Sequence, residues 1–393
     1  MVCADSLTAV LSAQIGNNLF FPFFTRRSLF ILRRKTHPPT QVVLTFLMYH
    51  CGVFDNLIGN DNLKSIFQRL LSLGRLPNSM LFAGPDGVGK KQFVLELARA
   101  LVCRERTACG ECSACQRVGV FAFPKTDDKD EHERVIFSGH ADVGMVIPYK
   151  RNIPVNAIRD LESAANFRPF EAPVRFFIIE NAEKMNAAAS NALLKTLEEP
   201  PETTYIVLVT SRPDALLQTI RSRCQTIHFA PVEPEKIERH LIDTKGPAPA
   251  DAGLIAKLSR GSVGKALVFD LEIFRARRDV MLDVLKDSLV EKDRAALLKT
   301  AEVLNDAKNK DAYEENLDIL ETLIRDLWLI KLGGETEVVN ADILTELTIL
   351  AVRVEQKALA SWLNEIEMLR QSFLVNINRK VATDALFMEM AEV

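Results

Sequence analysis

The stretch Leu81–Arg99, LFAGPDGVGKKQFVLELAR, restricts this chain to very few folds. Leu81 and Phe82 close a short apolar run of the kind that forms a buried strand. Gly84 to Lys90 is a glycine-rich turn, and Phe93, Val94, Leu97 and Ala98 then recur at helical spacing. Strand, glycine loop and helix in that order are the setting of a phosphate-binding loop. Its backbone N–H groups and the helix N-terminus converge on an anion, and Lys90 adds a point charge. The alternative, an ordinary glycine-rich turn, does not account for both flanks. Gly84, Gly87, Gly89, Lys90 and Lys91 are therefore the candidate nucleotide contacts. The full pattern places a Ser or Thr hydroxyl on Mg²⁺ at the position held here by Lys91. An ammonium cannot ligate a cation, so the loop is expected to hold phosphate better than it supports hydrolysis.

A second buried-strand signature, Val174-Arg175-Phe176-Phe177-Ile178-Ile179, runs straight into Glu180-Asn181-Ala182-Glu183. A nucleotide hydrolase ends such a strand in two acidic residues, one orienting Mg²⁺ and one polarising the attacking water. This chain offers Glu180 followed by Asn181, and a neutral amide cannot take up a proton. Glu183 lies nearly a turn further on and is expected to point elsewhere if a helix has begun. A third apolar run, Tyr205 to Val209, ends in Thr210, whose hydroxyl suits either sensing a γ-phosphate or capping the next turn.

Between these strands lies RERTACGECSACQRV, in which Cys103, Cys109, Cys112 and Cys115 have the spacing C-x₅-C-x₂-C-x₂-C. Two adjacent C-x₂-C turns bring three thiolates together, and the preceding helix end supplies a fourth. This donor set suits tetrahedral Zn²⁺ in a closed, structural shell, with an iron–sulfur cluster as the alternative. Cys3, Cys51 and these four all precede residue 120, leaving Cys224 alone beyond it. Such crowding, without a recognisable secretory signal, points to a reducing compartment and a metal rather than disulfides.

A length of 393 residues accommodates two or three domains, and a net charge of −3 argues against DNA binding through a strong basic face. Residues 1–47 include NNLFFPFFTRRSLFILRRK, whose apolar segments are too short to span a bilayer. A poorly ordered extension, a targeting segment and a start codon assigned too early all fit this region; Met48, just before the first well-patterned segment, favours the last. The run from Phe54 to Leu73 carries a helical stripe of Leu63, Ile66, Phe67, Leu70 and Leu71, with Asn60 or Asp61 as cap. Helix is also expected over Val155–Phe167 and Ala187–Leu197, a strand over Met145–Pro148, and a loop over Phe123–Arg134. His140, at that strand's entry, is expected to be hydrogen-bonded rather than catalytic.

Strands and helices alternating on either side of a phosphate loop predict an α/β fold: a parallel sheet with helices on both faces. Beyond Pro231 the pattern becomes helical. Short segments at Glu235–Ile242, Ala252–Leu258 and Ser262–Phe269 precede a leucine-rich region with stripes Leu317, Leu320, Ile324, Leu327 and Trp362, Ile366, Leu369. These stripes read as the core of a helical bundle, with a face for partner chains as the alternative. The expected organisation is an extension over 1–47, a nucleotide-type domain over 48–230 with the cysteine module at 103–115, a small helical domain over 231–271, and a helical bundle over 272–393.

GPDGVGKK, the four-cysteine insertion after the loop helix, FIIENAEKMNAAASNALLKTLEEPP and TIRSRCQ together resemble the clamp-loader branch of the AAA+ ATPases. The resemblance is strong from about Phe54 to Phe229, weaker through GSVGKAL into the helical part, and leaves residues 1–47 outside. It implies an AAA+ core, a small helical lid and an all-α collar that joins a five-subunit ring with gamma/tau and delta subunits. That ring, in the bacterial cytoplasm, uses ATP to open the sliding clamp and place it on primed DNA for DNA polymerase III. It also implies that the Ser-Arg-Cys motif, here Ser222-Arg223-Cys224, presents an arginine finger to ATP on the neighbouring subunit. A guanidinium that forks onto γ-phosphate oxygens fits that role. A working motor subunit carries a hydroxyl where Lys91 stands, a base where Asn181 stands, and usually an arginine in the lid motif where this chain has Gly264-Lys265. The departures favour a member with a degraded ATPase site over an active motor of the gamma/tau type. A zinc-dependent nucleic-acid-binding module is the third reading.

Overall fold

The computed structural model describes residues 53–306, 312–372 and 378–392; the extension of residues 1–47 lies outside them. The sheet has six strands: β1 Ser79–Ala83, β2 Ile136–Phe137, β3 Val143–Val146, β4 Arg175–Ile179, β5 Thr204–Thr210 and β6 Gln225–His228. Their order is β2-β3-β4-β5-β1-β6. All pairs are parallel except the edge pair β2–β3, a departure from the expected all-parallel sheet. Strands β1, β3 and β4 are buried throughout. Covered on both faces, they read in sequence as unbroken apolar runs instead of alternating ones.

Helices α1 Asp61–Leu73, α2 Lys90–Val102, α3 Ser113–Val118, α4 Lys129–His132, α5 Val155–Ala165, α6 Ala187–Glu198 and α7 Gln218–Arg221 complete this layered unit. One face of the sheet packs Phe54, Phe67, Phe82, Phe93 and Phe229 beneath the loop helix α2. The other packs Leu81, Phe177 and Leu208 against Ile158, Leu161, Leu193 and Leu197 of α5 and α6. Several boundaries differ from the sequence expectation. Helix α1 starts at Asp61, with Asn60 at the cap position as expected, but the cap contact differs. Asn60 precedes it in left-handed backbone and makes no cap bond. Its amide instead clasps the main chain of Ala230, accepting from the N–H at 2.9 Å and donating to the carbonyl at 3.2 Å. The strand expected at residues 145–148 lies at 143–146, because Pro148 cannot donate to a ladder. The loop expected over 123–134 contains α4, capped by the Asp128 carboxylate.

After β6, α8 Pro234–Lys245, α9 Pro249–Leu258 and α10 Val263–Val268 surround a small core of Ile237, Leu241, Ala252 and Ala266. Helices α11 Leu271–Lys286, α12 Arg294–Leu304, α13 Tyr313–Lys331, α14 Leu344–Arg353, α15 Gln356–Ser372 and α16 Arg379–Met390 then build a bundle. Its core contains both stripes read from the sequence, Leu317 to Leu327 and Trp362 to Leu369. Two polar contacts bind the small core to the bundle: Lys257 donates to the Val338 carbonyl at 2.8 Å, and Arg275 pairs with Asp251 at 2.6 Å. Among the described residues no helix is long and apolar enough to cross a membrane.

Candidate functional site

The phosphate loop leaves the C-terminal end of β1, in the middle of the sheet, with Ala83 in register with Thr210 of β5. Gly84 and Gly87 need to be glycine. A Cβ at Gly84 would stand 2.5 Å from the Phe229 carbonyl oxygen, and Gly87 has φ +75° with the Ser262 hydroxyl 2.1 Å from where its Cβ would be. Gly89 at φ 100° leads into α2. The strand–loop–helix arrangement expected from the sequence is present, so loop N–H groups and the α2 N-terminus share one concave turn.

The cationic side chains of this loop are engaged within the protein. Lys90 is buried, and its ammonium donates to the Gly84 and Pro85 carbonyls at 2.5 and 2.6 Å. Burial holds its pKa below the ordinary lysine value, against the opposing charges of Asp86 and Glu183. Lys91 pairs with the Glu180 carboxylate at 2.8 Å, and its ammonium also lies 5.3 Å from the Phe123 ring centroid. The loop's outer edge meets the segment after β6. The Gly264 N–H donates to the Gly87 carbonyl at 2.9 Å, and Ser262, whose hydroxyl caps α10, sits beside Gly87.

Asn181 follows Glu180 in left-handed backbone and opens a single tight turn, Ala182–Lys184. No α-helix begins here, so the condition for Glu183 to point elsewhere is not met, and the turn brings it back toward the sheet. The buried Thr210 hydroxyl donates to Glu183 at 2.7 Å and accepts the Arg212 N–H at 3.0 Å. Mg²⁺ at such a site needs oxygen donors next to the loop lysine and at the end of β4. Lys91 supplies no lone pair, and it occupies the Glu180 oxygen. The residues present do not suit a divalent ion. His140 is buried, and its Nδ1 accepts the Asp142 N–H at 3.2 Å, the plain hydrogen-bonded role expected of it.

Ser222-Arg223-Cys224 lies on the turn from α7 into β6. The Arg223 side chain is 30% exposed and stays at the surface. Its Nε donates to Glu198 Oε1 at 2.6 Å, its Nη2 bonds the same oxygen, and its Nη1 reaches the Thr219 carbonyl at 2.9 Å. Ser222 is exposed and bonds the Thr219 carbonyl at 3.2 Å. Cys224 is buried, with its thiol pushed up to about 12 by that burial.

Cys103, at the end of α2, converges with Cys109, Cys112 and Cys115, their sulfurs all within 4.8 Å of one another. Sulfur separations of 3.7, 3.9 and 4.0 Å match the edge of about 3.8 Å expected when four thiolates surround an ion at ~2.3 Å. The turns that make this possible use left-handed backbone at Arg106, Ala108 and Gly110. The N–H groups of Cys112 and Cys115 donate to the sulfurs three residues earlier, each at 3.4 Å. Burial pushes the Cys103 thiol up. The N–H groups of Cys109, Thr107 and Glu105 outweigh it and hold that thiol down, at about 6. The four cysteines can bind a metal ion, and the donor set fits a soft or borderline one.

Sequence reasoning missed three partners: Glu183, Glu198 and Phe123. Each is brought in by a turn or crossover, and their sequence neighbourhoods carry no signal of the contact.

Two family models match the chain, both described as DNA polymerase III, delta subunit: one over residues 59–233 and one for the C-terminal part over 274–389. The delta' subunit of DNA polymerase III from Bacillus subtilis is 28% identical over 77% of this chain and 88% of its own length. The chain belongs to the delta-prime family of DNA polymerase III subunits. The delta' subunit of Escherichia coli is likewise 28% identical, over 81% of this chain and 91% of the relative. The tau subunit of Escherichia coli is 29% identical over 60% of this chain, which spans 33% of that longer protein. The delta-prime matches thus run through both the sheet unit and the helical bundle. The fold has a parallel β6-β1-β5-β4-β3 core followed by a helical C-terminal part.

Proposed function

We propose that this chain is the delta-prime subunit of a bacterial DNA polymerase III clamp loader, a cytoplasmic ring with gamma/tau and delta subunits that loads the sliding clamp onto primed DNA. In this reading residues 48–230 are the AAA+ domain, 231–271 the lid and 272–393 the collar that joins the ring. The cysteine module holds one structural Zn²⁺. Arg223, flanked by Ser222, is lent to ATP on the adjoining motor subunit, where its guanidinium stabilises charge developing on the γ-phosphate. The chain's own site turns over little or no ATP. Glu180 is a remnant of its acidic pair, and Gly84, Gly87, Gly89, Lys90, Lys91 and Thr210 are a loop retained for its shape.

The observation that carries this reading is the placement of Arg223: at the surface, tethered by one half-exposed carboxylate and a helix carbonyl, and free to exchange both for phosphate oxygens. Its own loop, by contrast, has both lysines satisfied internally. The test is ATPase activity of the purified chain with Mg-ATP, followed by co-purification with gamma/tau and delta. Negligible turnover with stable ring assembly is expected. One observation favours the rival, an active motor ATPase: Glu183 is held by the Thr210 hydroxyl at 2.7 Å, on the strand end in register with Ala83 just before the loop. Robust turnover abolished by Lys90→Ala decides for that rival.

A further inference from the structure

We propose that the Lys91 ammonium is a resident cation: it fills, covalently attached, the position from which a divalent ion ties the loop helix to β4, so that this site operates without Mg²⁺ and rejects it. The inference rests on the reading of the chain as a degraded ATPase and names the physical device behind it.

Three contacts converge on the point. The Lys91 ammonium lies 2.8 Å from Glu180 Oε2, the distance of a direct, charge-assisted bond. Lys91 is the second residue of α2, and Glu180 is the first beyond β4, two strands away from β1 in the sheet. The pair therefore bridges the two elements that a metal joins in a working site. On its other side the ammonium lies over the Phe123 ring, 5.3 Å from the centroid. An aromatic face suits a monovalent organic cation and offers no ligand to Mg²⁺. The side chains of Lys91 and Glu180 are 39% and 24% exposed, so the pair is reachable by solvent and by ions in competition. A divalent ion entering here meets a fixed positive charge of the same sign, and Glu180 is already committed. Lys90 leaves the space to this pair by turning onto the Gly84 and Pro85 carbonyls. Lys91→Ser should reverse the preference, because a hydroxyl is a neutral oxygen donor and the Glu180 carboxylate is released from its ion pair to ligate a metal.

The experiment uses the full chain, with ATP as the probe. Thermal midpoints are recorded across an ATP titration, once in EDTA and once in excess MgCl₂, for the wild type, Lys91→Ser, and Lys91→Ser combined with Glu180→Gln. The wild type is expected to show the same response in both media. Lys91→Ser is expected to gain a preference for the Mg²⁺ medium of about tenfold or more in apparent affinity, and the double variant to lose it again. A wild-type response that strengthens in Mg²⁺, or a Lys91→Ser variant with no Mg²⁺ preference, overturns the proposal. Neither result bears on whether the chain assembles into a ring, so a failure here is separable from a failure of the functional reading.

Discussion

Phe93→Ala tests how the phosphate loop is held in place. Phe93 lies in the first turn of α2 and is 2% exposed. It stacks on Phe54 with centroids 4.2 Å apart and planes at 16°, and it meets Phe67, Phe82 and Phe229 edge-on or nearly so at 5.1, 5.8 and 5.3 Å. Truncating a buried phenylalanine costs about 3–5 kcal/mol, and removing an aromatic pairing adds ~0.5–1.5 kcal/mol beyond the buried area. Because Phe93 pairs with four other rings, the upper end applies, about 5 kcal/mol. Phe93→Leu keeps most of the volume and should cost about 1.5 kcal/mol. Urea unfolding followed by far-UV circular dichroism reads the change. Trp328 and Trp362, the two tryptophans of the chain, lie in the helical bundle, so their fluorescence serves as an internal control. The dichroism transition should move to much lower urea while the fluorescence transition moves far less. A Phe93→Ala penalty no larger than that of Phe93→Leu would refute the argument that this ring cluster anchors the loop.

Two further outcomes follow from the same structure. The cysteine module should carry one Zn²⁺ per chain by elemental analysis. Cys112→Ser should lose it and make the segment between Cys103 and Val118 readily cleaved by protease, whereas retention of full metal content would contradict four-thiolate ligation. Glu171 is held down to about 2, first by its hydrogen bonds from Arg117 and then by the Ala141 N–H and nearby charges. A carboxyl lowered in the folded state contributes stability that is present above its unfolded value of about 4.5 and lost as pH falls toward 2. Glu171→Gln should therefore flatten the acid limb of stability between roughly pH 4.5 and 2 and leave its neutral limb parallel to wild type. An unchanged acid limb would remove Glu171 from that role.

What was legible in the sequence is what local pattern encodes. The phosphate loop, the buried strands β1, β4 and β5, the cysteine spacing and the bundle stripes each have a short-range signature, and each is present as read. Contacts made across the fold had none. Glu198 meets Arg223 across 25 residues of sequence, and Lys91 meets Glu180 across 89. The direction of Glu183 depended on one left-handed residue, Asn181, which a helical projection cannot foresee. The antiparallel edge strand β2 has two residues, too few for any alternation to register.

In the proposed function this chain lends a catalytic arginine to its neighbour and turns over no ATP of its own. The most direct measurement is the DNA-stimulated ATPase of the reconstituted ring carrying either Arg223→Ala or Lys90→Ala in this subunit alone. Arg223→Ala should leave assembly intact and lower turnover at the adjoining site by ~10³-fold or more, while Lys90→Ala should leave ring turnover at the wild-type value. Unchanged turnover with Arg223→Ala, or a collapse with Lys90→Ala in an intact ring, would contradict the account.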